Sequence, residues 1–214
     1  MFKFFVGFLL MCLPIISFSN VKNGTLNIIA GKNFNQPFKF GAFSFTTTPQ
    51  MVLWVESEDG KFKKTVWMTR RFAKQDWVGE KYDPNKTFRE YSFPRWMLQF
   101  KDVAPTKNKQ LPDAVSGASP KSNAKIKVSL PNDRKLILFF EVNNSFDENE
   151  FYPNEKLYNG QPSLIYTETL EPNFKGIIEL KLKYKTTLDG KLIENLEGIT
   201  TASNILNKVE LIVE

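Results

Sequence analysis

From residue 20 onward, apolar and polar residues alternate in short runs, and the runs stop at Gly, Pro, Asn and Asp. Residues 25–30 (TLNIIA) follow Gly24 as a β-rich run. Between 37 and 47, Phe38, Phe40, Phe43 and Phe45 alternate with small or polar residues. Residues 51–56 (MVLWVE) are almost continuously apolar, Asp59-Gly60 offers a turn, and 61–69 (KFKKTVWMT) returns. Two strand-like runs flanking Asp-Gly are a strong hairpin signal. The pattern resumes at 125–130 (KIKVSL), turns at Pro131-Asn132-Asp133, and returns at 135–142 (KLILFFEV). Runs at 163–170, 176–186 and 208–213 complete eight or nine strands separated by turn signals. Such spacing predicts an all-β chain folded as an antiparallel β-sandwich.

The rhythm breaks over about 70–123, which is expected as a helical or irregular insert. A short helix is predicted around Trp96-Met97-Leu98, with Pro94 limiting its start. Residues 102–123 are rich in Pro, Lys, Ser, Gly and Asn and predict a long exposed loop, the kind of segment that often carries function. A second loop, acidic and rich in Asn, spans 143–160. No tandem repeat interrupts the reading of 20–214 as one domain.

The first nineteen residues have a different character. Lys3 precedes an apolar run from Phe4 to Ile16, which ends in Ser17-Phe18-Ser19. This is the three-part pattern of a cleavable secretory signal, with cleavage expected between Ser19 and Asn20. The run is shorter than the ~20 residues a spanning helix needs, and Pro14 interrupts it. Cys12 is preceded by Met11 rather than a small residue, which argues against a lipid-anchored cysteine. The expectation is an exported, periplasmic protein with no stable membrane insertion.

Export changes how the composition reads. Cys12 is the chain's one cysteine, so cleavage would leave no disulfide and an ordinary apolar core must hold the fold. The absence of histidine excludes Ser-His-Asp and Cys-His nucleophiles, histidine zinc sites and histidine-ligated haem. The net charge of +6 is scattered among carboxylates rather than gathered in a block, so no nucleic-acid partner is expected.

The most distinctive short segment is Asp113-Ala114-Val115-Ser116-Gly117-Ala118-Ser119. It resembles the Asp-x-x-(Ser/Thr)-Gly-Ala-(Thr/Ser) motif that bacterial flavin transferases recognise. The resemblance implies FMN attached through a phosphoester to Ser119, with Asp113, Ser116, Gly117 and Ala118 as recognition residues. Threonine is the more usual acceptor. An acceptor must enter another enzyme's active site, which suits a loop, and Gly117 permits close approach or a positive φ. The bland reading is a Ser-Gly turn leading into the strand at Lys125.

A wider resemblance runs through residues 25–213. In order, the landmarks are MVLWVE at 51–56, Asp59-Gly60-Lys61, Thr65-Val66-Trp67, the aromatic stretch around Trp96, the 113–119 motif, and the strand 136–142. The chain is similar in these to bacterial periplasmic proteins of the domain of unknown function 2271 family. That similarity implies an immunoglobulin-like sandwich, a periplasmic location and an association with extracytosolic flavin systems. The segment 143–152 (NNSFDENEFY) departs from the family pattern, where a shorter stretch with histidine is expected.

Other residues carry weaker signals. Asp147-Glu148-Asn149-Glu150 offers oxygen ligands of the type Ca²⁺ takes, without EF-hand spacing. Trp54 and Trp67 lie on strands and are expected in the core, whereas Trp77 and Trp96, with Tyr82 and Tyr91, lie in the insert as binding candidates. Paired carboxylates of a hydrolase have no signature here. Two readings lead. One is an electron-transfer protein carrying covalent FMN, with a flavin transferase and a membrane redox partner. The other is a non-catalytic binding or accessory module of an envelope redox or metal-uptake system. Neither makes the polypeptide alone an enzyme.

Overall fold

A computed structural model describes residues 21–77, 81, 83–112, 115–153 and 160–214. The expected signal peptide, and Tyr82, Asp113 and Ala114, lie outside the described residues. The chain forms β1 (Val21–Ala30), β2 (Gln36–Phe40), β3 (Phe43–Thr47), β4 (Gln50–Ser57) and β5 (Lys63–Thr69). The insert contributes two short helices, α1 (Arg70–Lys74) and α2 (Pro94–Phe100), before β6 (Ser116–Gly117). Then follow β7 (Ala124–Pro131), β8 (Leu136–Asn143), β9 (Leu164–Leu170), β10 (Gly176–Glu179), β11 (Lys181–Thr186), β12 (Leu192–Ile193) and β13 (Leu206–Val213).

These strands build an all-β sandwich. One sheet has the order β10-β13-β1-β7 and the other β12-β11-β9-β8-β4-β5-β6. Between them Leu26, Ile28, Val209 and Leu211 of the small sheet meet Met51, Leu53, Val55, Leu138 and Phe140 of the large one. The alternate residues of the large sheet point the other way and are buried as well. Val52, Trp54, Met68, Phe139 and Ile165 pack under Phe72, Ala73, Trp77, Phe93 and Trp96 of the insert. A strand covered on both faces has no polar side to alternate, which is why 51–55 reads as a continuous apolar run.

The Asp59-Gly60 turn forms as expected. Gly60 has φ +67°, a conformation costly for residues with a Cβ, and its N–H donates to Ser57 O at 2.9 Å. Asp59 Oδ1 accepts from Ser57 Oγ and from the Lys61 N–H. The predicted helix also forms, and Pro94 is its first residue, where a missing N–H costs nothing.

Three expectations are corrected. The run 176–186 is two strands, because the chain changes sheets at Leu180: β10 pairs with β13 and β11 with β9. Trp96 is fully buried and Trp77 nearly so, which makes them core residues of the second layer rather than binding candidates. The stretch 102–123 is not uniformly an exposed loop. It contributes β6, which runs parallel to β5 with Met68 opposite Ser116 and Thr69 opposite Gly117. Among the described residues no helix is long and apolar enough to cross a membrane.

Candidate functional site

Strand register brings the sequence's candidates to one end of the large sheet. Thr69 ends β5 beside Gly117 and donates its hydroxyl to Gln50 Oε1 at the start of β4. Gln50 is opposite Asn143, Val142 opposite Leu164, and Leu164 opposite Lys185. Thr69, Gln50, Asn143, Leu164 and Lys185 therefore share one end of the large sheet.

The motif occupies the outer edge of this end. The Met68 N–H donates to Val115 O at 2.8 Å, which fixes the entry to β6. Gly117 lies flat against the Trp67 indole, and a Cβ there would collide with Nε1. Its φ is not in the left-handed region, so the glycine serves close packing rather than a turn. Beneath it, Trp67 Nε1 is buried with no acceptor. Ala118 is exposed and Ser119 half-buried, and the Ser119 hydroxyl makes no hydrogen bond with the described residues. The chain beyond is tied down where Asn35 Nδ2 donates to Lys121 O and Asn123 Oδ1 accepts from the Ala30 N–H. The structure thus brings Ser116, Gly117, Ala118 and Ser119 together, while Asp113 is outside the described residues.

Three to five strand steps along the sheet, about 14 to 24 Å at the usual inter-strand spacing, a cleft of about 420 Å³ opens at the tips of β8, β9 and β11. That is within the range of small-molecule sites. Tyr91, Phe151 and Tyr152 supply aromatic walls, and Lys185 is the charged side chain among its described lining residues. Lys185 Nζ donates to Tyr152 Oη at 2.9 Å and to Glu197 O at 2.7 Å. Asn144 also lines the cleft. Its amide N and O are both buried without a partner among the described residues, a costly state for a polar group.

Behind the cleft wall, Glu141 is completely buried. One oxygen accepts from Ser163 Oγ at 2.6 Å and from the Arg95 N–H at 3.2 Å, and the other from the Trp96 N–H at 2.9 Å. The helix α2 has no cap of its own, since Phe93 carries no acceptor side chain. Glu141 caps it from a neighbouring strand. Burial pushes its carboxyl up to about 7, against the pull of these three donors. Ser163 in turn shares a 2.7 Å hydrogen bond with Thr186. This network holds the insert on the sheet, so Glu141 is a positioning residue.

The acidic loop is described over 143–153, and its first acid is turned inward rather than solvated. Asp147 is buried, its Oδ1 accepts from the Gln161 N–H at 2.9 Å, and its Oδ2 has no partner. Burial raises it to about 7. Asn149 organises the next turn by accepting from the Tyr152 N–H and donating to Gly198 O. Among the described residues no three acidic, cysteine or histidine side chains converge.

Sequence reasoning missed Glu141, although a signal was present. It is the one charged residue within the apolar run LILFFEV, and it shares the outer face with Phe139. The cleft carried no comparable signal, because its described residues come from segments 91–94, 143–153, 160–163 and 185–193. Compared with protein-family models, curated proteins and solved structures, the chain matches none of them.

Proposed function

We propose that the protein is a periplasmic electron carrier holding FMN covalently on Ser119. The observation that supports this most is the state of that hydroxyl: half-buried, engaged by no described residue, and just beyond an ordered edge strand. Serine hydroxyls can bond to neighbouring backbone groups, and that of Ser119 bonds to none of the described ones. Attachment would proceed by attack of Ser119 Oγ on the FMN phosphorus of a flavin dinucleotide. A new P–O bond forms, the pyrophosphate bond breaks, AMP departs and the hydroxyl proton passes to solvent. Electrons would then enter and leave on the isoalloxazine, with the sandwich supplying position and electrostatics. A flavin transferase would catalyse this step with the dinucleotide as FMN donor, and a membrane redox protein would supply the electrons.

A second reading, a non-catalytic binding or accessory module, is favoured by the cleft. It combines aromatic walls, Lys185 and an unpartnered Asn144 amide.

Variant labelling separates the two. In cells co-expressing a flavin transferase, Ser119→Ala is expected to abolish in-gel flavin fluorescence, and Ser122→Ala to leave it unchanged. Gly117→Ala is a poor probe of recognition, because its Cβ meets Trp67 and perturbs the edge strand. Fluorescence that persists in Ser119→Ala rejects this attachment site.

A further inference from the structure

The hairpin β2–β3 belongs to neither sheet of the sandwich. Its register places Phe38 opposite Phe45, and Phe43 lies two residues before Phe45, so these three phenylalanines share one face of the five-residue ribbon. The base of that face is covered. Phe146 stacks on Phe38 with ring centroids 3.9 Å apart and meets Phe45 edge-on at 5.9 Å. Phe146 does so from a left-handed backbone, φ +66°, which is strained for a residue with a Cβ. Beyond that support the face is open: Phe43 is 75 % exposed and Phe45 45 % exposed. Neither position is needed by the core.

Charge narrows what would cover it. From residue 21 to residue 55 the chain carries Lys22, Lys32 and Lys39 and no carboxylate. Lys32 and Lys39 are both exposed. The acids that follow Phe146 in sequence, Asp147, Glu148 and Glu150, lie on the loop that supports the base rather than on the ribbon, and Asp147 is buried. A second copy of the chain is a poor occupant. Five residues per strand make a face about 17 Å long and about 10 Å wide, so two such faces bury on the order of 350 Å². A stable interface needs about 1,200 Å² or more. A bilayer has no such minimum, because each aromatic ring partitions into the interface on its own and each lysine is drawn to anionic headgroups.

We propose that the β2–β3 hairpin is a peripheral membrane-docking element, seating Phe43 and Phe45 among the headgroups of an anionic phospholipid bilayer. The contact is reversible and leaves the sandwich outside the membrane. It is independent of whether Ser119 carries a flavin.

The test is co-sedimentation of the exported protein with vesicles of phosphatidylethanolamine and phosphatidylglycerol, and with vesicles of phosphatidylcholine alone. Wild type is expected to pellet with the anionic vesicles, more weakly at high salt. The Phe43→Ser/Phe45→Ser double variant should lose at least tenfold in partition coefficient. Both residues are exposed, so its circular dichroism should match wild type. Ile177→Ser, which removes a side chain 61 % exposed on β10, should bind like wild type. Three results would overturn the proposal: wild type remaining in the supernatant, equal pelleting of wild type and double variant, or a wild-type dimer that the double variant dissociates.

Discussion

Trp54→Ala is expected to cost about 3–5 kcal/mol of folding stability, as removal of a large buried aromatic does. Trp54 is fully buried on the outer face of β4, in the second layer rather than between the sheets. Its ring stacks on Phe139 with centroids 5.1 Å apart and an interplanar angle of 9°. Its Nε1 donates to Glu56 Oε1 at 2.9 Å. The substitution thus removes a stacked pair, opens a cavity below the insert and leaves a mostly buried carboxylate without its donor. Urea unfolding of the variant should show the midpoint shift with little change in slope. A loss below about 1 kcal/mol would mean that the insert does not pack on the sheet as described.

Stability is expected to fall as pH rises from 5 to 8, opposite to the usual behaviour of paired carboxylates. Glu141 and Asp147 are both raised by burial to about 7, from the ordinary carboxylate values of 4.5 and 3.8. A raised folded-state value means that the folded protein binds more protons than the unfolded chain between the two values. Stability from these groups is therefore greatest at the acid end and declines until the pH passes about 7. For Glu141 the full decline is on the order of 3 kcal/mol. The surface-lying acids Asp59, Asp133, Glu179, Asp189 and the half-buried Glu210 are all lowered by neighbouring donors and cations. Their contribution is lost only as pH falls through the carboxylate range, so it stays constant between 5 and 8. Urea midpoints at pH 5 and pH 8 test this, and Glu141→Gln should flatten the difference. A midpoint that rises with pH would place these carboxylates in a wetter setting.

How much of this was legible in the sequence depended on whether a residue's role was local. The 57–63 turn was readable because Asp59-Gly60 needs only its own backbone. The strands of the core were readable because burial on one or both faces writes a period, or the absence of one, into the residues themselves. The second layer was not. Trp77 and Trp96 resemble binding residues when seen in an irregular, charged insert, and only the packing of that insert on β4 and β8 makes them core. The division of 176–186 between two sheets was equally hidden, since both halves alternate alike and Leu180 marks the switch only through its hydrogen bond to Val209. In the candidate site, the motif from Ser116 to Ser119 was visible as a string, but the reason for Gly117 was not. It is set by Trp67, some fifty residues earlier. The cleft escaped notice for the same reason, its walls being assembled from distant segments.

The central claim, that Ser119 carries FMN, is tested most directly by the intact mass of the protein purified from its native envelope. The account predicts a mature chain beginning at or near Asn20 and heavier by one FMN less one water, with the added mass mapping to the peptide that contains Ser119. A mature chain with the unmodified mass, from cells whose flavin transferase labels its other substrates, would contradict it and leave the cleft as the functional centre.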